Sequence, residues 1–519
     1  MPKHDRETLE RLSFRRQFVL GPQFVRRFPN WQKVKLDGSL HITAHPDLEI
    51  CQIGRDDRSI TLLGYILDPG DPSATNDGII GRLFDKFDTC EGFFEDTACF
   101  GGRWILIVND GRRIVLFTDA AGLRQVCFAT VGASDRIWCA SQPKLLAEIL
   151  DLSMSRGALS FMEMEIDGYG RGKRLSWYPG DTTPYEAIRQ LMPNHYLDLG
   201  TGRVQRYWPN ADLPAAAPRE GLLMSLGTLR GLMESARRRF DLAVSLTAGL
   251  DSRVLLAMTA PFGREMFYFT AMFGDLTEDH RDVKIPNKLV SKMGLKNNII
   301  RCQDDLDEEF GKIYQRNVGK GHELYGLVSQ GIIDQIPKER ICIRGDVAEI
   351  AKCYYRLGKS ASTDITGHDL ARLSDLGAHP FVIRAFEQWL LDVRPHLHNV
   401  HLLDLFFWEQ EAGRLHAMIQ SECDIAQDAF SPFNCRSLLM TMLSVPERLR
   451  RPPEHIFFWM LLRGACPDVL NEPINGRVQV GIEAVARRSL AKLGLLALVT
   501  GPIKKLINIA DFLTRAGQA

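Results

Sequence analysis

Over the first two hundred residues, apolar positions come in short bursts separated by turn residues. "RWILIVNDGRRIVLFTD" (103–119) sets two apolar runs on either side of Asn109-Asp110-Gly111, the chemistry of a tight hairpin turn. "HYLDLGTGRVQRYW" (195–208) repeats the arrangement with Gly200-Thr201-Gly202 at the bend. Helical patterns intervene at 77–87 and 142–150. Together these predict an α+β N-terminal domain built on antiparallel strands. "PNADLPAAAPREG" (209–221), rich in Pro and Ala, reads as a linker.

Beyond it the periodicity changes. A helical pattern over 221–240 precedes a series in which helices alternate with short apolar strands: "DLAVSL" (241–246), "MFYFTAMF" (266–273) and "RICIRG" (340–345). That alternation predicts an α/β domain with a parallel sheet covered on both faces. From about residue 365 the pattern is almost entirely helical. Ligands of such sheets bind beyond the carboxyl ends of the strands. Three loops fall there: 247–253, 274–282 and 345–350.

The first of these loops carries the densest chemistry. Small residues at Thr247, Ala248 and Gly249 let backbone N–H groups approach an anion, and the helix that follows adds its positive end. Ser252 can donate to a phosphate, and Arg253 can pair with one bidentately. Asp251 would repel that anion unless a divalent cation, Mg²⁺ in most nucleotide enzymes, sits between them. A capped helix after a buried strand is the plain alternative. "RGDVAEI" (344–350) adds two carboxylates, Asp346 and Glu349, at the same sheet edge. "GYGRGKR" (168–174) lacks the GxxxxGK[ST] spacing of a phosphate loop and follows no buried strand, so it reads as an ordinary loop.

Composition narrows the class. A chain of 519 residues, 45% hydrophobic and 25% charged, is ordinary for a globular protein of several domains. Lys+Arg and Asp+Glu each number 64, which speaks against binding nucleic acid through bulk charge. The 11 cysteines are scattered without zinc spacing, as in a reducing, cytoplasmic setting. The N-terminal stretch is charged and offers no secretion signal. The apolar run 493–501, flanked by Arg487, Arg488, Lys504 and Lys505, is too short to span a membrane. It suits a packed helix, or a surface contact with a membrane.

"SLTAGLDSR" (245–253) resembles the pyrophosphate loop of the asparagine synthetase family, with Thr247-Ala248-Gly249 standing for its Ser-Gly-Gly, and "RGDVAEI" is similar to that family's second signature, in register at Gly345. Asp282 ahead of "LVSKMGLKN" resembles the region after the family's second strand. "FGGRWILIVNDGRRIVLFTDAAGLRQVCFA", with Asp119 and Gly122 at its turn, "WCASQPKLL" and "IRQLMPNHYLDLGTGRVQRYW" resemble landmarks of its glutaminase domain. "SPFNCRSLL" (431–439) is similar to a late motif of its synthetase domain. The resemblance spans nearly the whole chain.

It implies an Ntn-hydrolase-like domain of sandwiched antiparallel sheets over 1–212, and a PP-loop ATP-pyrophosphatase domain over 213–519 with a helical C-terminal part. The implied activity is an ATP-dependent ligase that adenylates a small-molecule or peptide carboxylate and passes the acyl group to an amine, in natural-product, peptide or surface-glycan assembly. ATP and Mg²⁺ are the implied cofactors. Asp251, Asp346 and Glu349 are the catalytic candidates, with Asp251 and Glu349 as the metal ligands. The nucleotide would meet Thr247, Ala248, Gly249, Leu250, Asp251, Ser252, Arg253 and Gly345, with adenine along Thr270, Ala271 and Met272.

Two departures matter. The family's glutaminase uses a cysteine directly after the initiator Met; here Pro2 follows Met1, and the first cysteine is Cys51 in a strand-like stretch. That is the pattern of β-lactam synthetases and lasso-peptide cyclases, which lack glutamine hydrolysis. The family also carries a lysine late in the chain where this sequence has Trp459. His455, Arg450 or Arg451 could supply that charge, or a cation could enter from elsewhere. Glu409 and Glu411 are candidates for the base that deprotonates the amine, against their reading as helix-surface charges. An ammonia-using asparagine synthetase and a non-catalytic nucleotide-binding scaffold are the alternative functions.

Overall fold

The computed structural model describes residues 6–37, 39–87, 89–131, 136–168, 177–319, 321–356 and 364–475. Met1, Pro2, most of the 168–174 loop and the apolar run 493–501 lie outside the described residues. Among the described residues, no helix is long and apolar enough to cross a membrane.

The first half contributes strands β1 (Phe18–Gly21), β2 (Gln32–Lys35), β3 (His41–Ala44), β4 (Ile50–Arg55), β5 (Arg58–Leu67) and β6 (Gly101–Asp110). It continues with β7 (Ile114–Thr118), β8 (Cys127–Val131), β9 (Arg136–Ala140), β10 (Arg189–Gln190), β11 (His195–Asp198) and β12 (Val204–Arg206). They form two six-stranded antiparallel sheets, ordered β10-β8-β9-β1-β3-β2 and β12-β11-β7-β6-β5-β4. Both hairpins read from the sequence are present: Asn109 pairs with Ile114 across one turn, and Leu197 with Val204 across the other.

Alternation along the strands explains the layering. Phe18 and Leu20 of β1 meet Ile105 and Ile107 of β6 in a cluster between the sheets. Val19, facing the other way, packs with Leu145 and Leu146 of the helix Pro143–Leu150. Leu106 and Val108 of β6 pack with Ile79, Ile80 and Leu83 of the helix Asn76–Lys86. The result is a helix–sheet–sheet–helix sandwich, which is why these strands are apolar on both faces.

A 22-residue helix, Pro218–Arg239, leads into a five-stranded parallel sheet. Its strands are β13 (Leu242–Ser245), β14 (Phe267–Met272), β15 (Asn297–Arg301), β16 (Ile341–Ile343) and β17 (Ala429–Phe430), in the order β15-β14-β13-β16-β17. The last falls in the stretch after residue 365 that reads as almost entirely helical: two residues there close the edge of the sheet. From β13 the chain builds to one side with β14 and β15, then returns to the other with β16 and β17. The reversal between β13 and β16 makes a topological switch point, the edge at which ligands of open parallel sheets bind.

The halves meet through charge and packing. The Arg103 guanidinium donates to Asp424 (2.9 Å) and Asp428 (2.8 Å), and Arg124 donates to Asp428 (2.7 Å). Burial works against the ionised Asp428 carboxylate, yet Arg124, Arg103 and Arg16 hold it well below the usual carboxylate range. Asn434, inside the "SPFNCRSLL" stretch, accepts from the Ala121 N–H and donates to the Gly102 carbonyl, each at 2.8 Å. That motif joins the halves. The Asp119-x-x-Gly122 turn is structural too: Asp119 is buried and accepts from the N–H groups of Trp104, Leu123 and Arg124.

Candidate active site

The loop after β13 and the loop after β16 meet at the switch point. Gly345 comes so close to Asp251 that a Cβ there would lie 2.8 Å from the Asp251 Cβ, so no larger residue fits without moving the loops apart. The helix Leu250–Thr259 starts at Gly249 with no side-chain cap, leaving the N–H groups of its first turn open. One loop amide already holds an anion: Ala248 N–H donates to the Asp282 carboxylate at 3.2 Å. Thr247 Oγ1 accepts from Gly249 N–H (3.2 Å), and Ser252 Oγ donates to the carbonyls of Thr247 (2.8 Å) and Gly249 (3.1 Å). Thr247 and Ser252 therefore shape the loop from within.

Thr270, Ala271 and Met272 project past the sheet edge. β13 pairs with β14 only as far as Phe269, whereas the pairing of β14 with β15 continues to Met272. Thr270 is buried, its hydroxyl donating to the Leu246 carbonyl at 2.9 Å. This backbone lies beside the 247–252 loop.

Arg253 departs from expectation. Its guanidinium turns away from the loop and donates to the carbonyls of Val469 (2.5 Å), Glu472 (2.8 Å) and Pro473 (2.6 Å). It is 1% exposed and committed to holding the segment 469–473. The physical reason is helical geometry: residues two apart point to opposite sides, so Arg253 cannot share the face of Asp251. The held segment reaches the loop itself, where Asn475 N–H donates to the Ala248 carbonyl at 2.9 Å.

The two carboxylates assigned to a metal do come together, but around an ammonium. Lys352 Nζ donates to Asp251 Oδ1 (2.7 Å) and Oδ2 (2.6 Å) and to Glu349 Oε1 (3.2 Å). Lys352 is 7% exposed, and its ammonium lies 5.6 Å from the centre of the Phe458 ring. Burial pushes the Asp251 carboxyl up to about 7, the Lys352 charge opposing and Glu349 adding to the rise. Burial disfavours the Lys352 ammonium, but Asp251 and Glu349 outweigh it and raise its pKa. Among the described residues, no group of three or more His, Cys, Asp or Glu side chains is arranged to hold a metal. Asp346 faces other partners, accepting from Arg344 Nε (2.9 Å) and Gln420 Nε2 (3.2 Å). Burial would raise its pKa, but Arg344 and His416 hold it below the ordinary value.

A strained turn delivers Lys352. The 3₁₀ helix Ala348–Lys352 is entered through Val347 at φ 80° and left through Cys353 at φ 52°. A β-branched residue in the left-handed region is costly, by about 1–3 kcal/mol, and persists only where surrounding packing dictates it.

None of the three basic groups considered as a substitute at 459 meets these carboxylates as Lys352 does. Arg450 is buried, donating to the carbonyls of Val445 (3.1 Å) and Ala351 (3.4 Å) and to Asp404 (3.3 Å). Arg451 is exposed and pairs with Glu447. Burial holds His455 below its ordinary pKa, and its Nδ1 meets the Arg450 carbonyl at 3.0 Å. Trp459 is buried under the Arg463 guanidinium, 4.8 Å from the ring centre, one residue along from the Phe458 that faces Lys352.

The two glutamates separate cleanly. Glu409 is buried and accepts from Asn194 (2.9 Å), Trp389 (2.8 Å) and Arg206 (3.0 Å), as a joint between the halves. Glu411, on the same π-helix Phe407–His416, accepts from the Tyr355 hydroxyl. Burial raises the Glu411 pKa, with Tyr355 and His416 opposing. Tyr355 sits three residues after Lys352, so one turn carries both groups. Sequence reasoning missed Lys352 and Tyr355; the available signal was the i,i+3 spacing of Glu349 and Lys352, which favours an ion pair in a helical turn.

No protein-family model matches the chain, and no curated protein matches it. Among solved structures it is similar to a glutamine phosphoribosylpyrophosphate amidotransferase of B. subtilis complexed with ADP and GMP, at 9% identity and a TM-score of 0.25, over 72% of this chain and 75% of that one. An allosteric regulatory enzyme of purine biosynthesis aligns at 10% identity and a TM-score of 0.24, over 61% and 75%. A glutamine-dependent NAD+ synthetase of Acinetobacter baumannii, in complex with ADP, aligns at 13% identity and a TM-score of 0.19, over 33% of each chain. Likenesses this slight leave the function to be argued from the site.

Proposed function

We propose that this protein is an ATP-dependent amide-forming ligase, with residues 1–212 as a glutaminase-silent Ntn-like domain and 213–519 as an asparagine-synthetase-like ATP-binding domain. The observation that carries the reading is the β13/β16 switch point, where an uncapped helix start, a loop amide holding a carboxylate, and the Asp251–Lys352–Glu349 group converge. A triphosphate would lie on Thr247–Ser252, displacing the Asp282 carboxylate from Ala248 N–H, with adenine along Thr270–Met272. The substrate nucleotide is MgATP, its ion carried by its own phosphates.

A substrate carboxylate oxygen attacks the α-phosphorus; the bond to the bridging oxygen breaks, and pyrophosphate leaves with the electron pair. An amine then attacks the acyl carbon, and AMP leaves with the electrons of the acyl–oxygen bond. The amine must lose a proton as it attacks. Glu411, raised by burial and bonded to the Tyr355 hydroxyl, is the base that the geometry favours over the fully paired Glu409. The amine arrives as substrate, on a separate molecule or on the one that bears the carboxylate, a reading supported by β1, which opens at Phe18 behind Arg15, Arg16 and Gln17 and presents no cysteine.

The test is product analysis with α-labelled ATP and a panel of carboxylates and amines. AMP and pyrophosphate in equal amounts, with a new amide by mass, are expected. ADP and phosphate as products, or nucleotide binding without turnover against the whole panel, would overturn the reading.

A further inference from the structure

We infer that Lys352 is the resident cation of this site: its ammonium fills the seat between Asp251 and Glu349 that a divalent ion would otherwise take, so the unliganded protein draws no metal there. A lysine ammonium has three N–H donors, and all three are used, two on Asp251 and one on Glu349. Three of the four carboxylate oxygens are thereby occupied. Glu349 Oε2 alone is buried without a partner. Mg²⁺ and Mn²⁺ seek about six oxygen ligands, and one oxygen cannot compete with water for them.

The backbone supports a built seat. The ammonium sits beneath the Phe458 ring, and the turn carrying Glu349 and Lys352 is bracketed by left-handed residues at Val347 and Cys353. Gly345 fixes the approach of that turn to Asp251 from the neighbouring strand. A side chain that reached the carboxylates by chance on a mobile surface would need none of this. The inference rests on the bridge alone and stands apart from the ligase reading.

Titration of the nucleotide-free protein with Mn²⁺, the free ion read by electron paramagnetic resonance, tests it. Wild-type protein is expected to bind no tight ion, Lys352→Met to gain one per chain, and Lys352→Met/Asp251→Asn to lose it again. A wild-type protein that binds one ion and loses it in Asp251→Asn overturns the inference. So does a folded Lys352→Met protein that gains none. Where Lys352→Met fails to fold, Lys352→Gln, which keeps a donor to one carboxylate, takes its place with the same expected gain. Because no ATP is present, failure here leaves the ligase proposal to its own product assay.

Discussion

Lys352 and Asp251 stand 101 residues apart in the chain, and the ammonium of one touches both carboxylate oxygens of the other, at 2.7 and 2.6 Å. Breaking a buried pair from one side leaves the other charge uncompensated, at a cost of about 3–5 kcal/mol. Lys352→Met should therefore lose that much in urea unfolding. Asp251→Asn should lose less, since an amide oxygen still accepts from the ammonium. Equal stability of Lys352→Met and wild type would show that the bridge contributes nothing to the fold.

Arg253→Lys separates two roles that one guanidinium could play. A phosphate contact would survive in part, because the charge is retained; the span across three carbonyls would not, because an ammonium lacks the planar fork. Stability should fall by about 2 kcal/mol, given charge-assisted hydrogen bonds of roughly 1.5–3 kcal/mol each. Weaker ATP binding at unchanged stability would return Arg253 to the phosphates.

Glu411→Gln removes the carboxylate that accepts from the Tyr355 hydroxyl. On the proposed assignment, amide formation should slow by about 10²–10⁴-fold, the usual worth of general base catalysis. Carboxylate-dependent pyrophosphate exchange should continue, since that half-reaction needs no base. A parallel loss of both steps would mean that the pair positions the turn rather than deprotonating the amine.

His45 supplies a pH dependence. Its Nδ1 accepts from the Asp47 N–H and its Nε2 donates to the Arg11 carbonyl, each at 3.0 Å, which fixes the neutral ring. Burial lowers its pKa to about 4. The unfolded chain takes up the proton near the ordinary value of about 6.5. The contribution is therefore full above pH 6.5 and is lost as pH falls toward 4, by up to roughly 3 kcal/mol at 1.36 kcal/mol per unit. Stability measured across that window should decline more steeply in wild type than in His45→Gln; identical slopes would refute the assignment.

Glutamine should be inert. Burial, with Asp77 and Glu49 adding to it, pushes the Cys51 thiol up to about 12, so at pH 7 roughly one in 10⁵ is thiolate. Labelled glutamine with ATP should release no glutamate above a protein-free control. Release abolished by changing a single cysteine would reveal a nucleophile that the geometry does not show.

The sequence displayed the two loops better than their contacts. A buried strand followed by small residues announces the 247–252 loop, and "RICIRG" announces its neighbour, because burial on both faces and a turn are local properties. The reach of Lys352 to Asp251 was not legible: it depends on Val347 adopting a left-handed conformation that its side chain opposes. Asn297–Arg301 and Ala429–Phe430 become strands only because a sheet edge waits for them. The directions of Arg253 and Glu409 were within reach, since each lies two residues from a partner on the opposite side of its helix.

The seam between the halves sets a timetable for the chain's birth. Phe14 N–H finds its acceptor at Asn317, 303 residues later, and Arg15 pairs with Glu339, 324 residues on. At roughly 5–20 residues per second of synthesis, that is a wait of tens of seconds. Throughout it Arg15 has Asp47, 32 residues on, as its near partner, and the sandwich behind it must hold its shape without the partners that complete it.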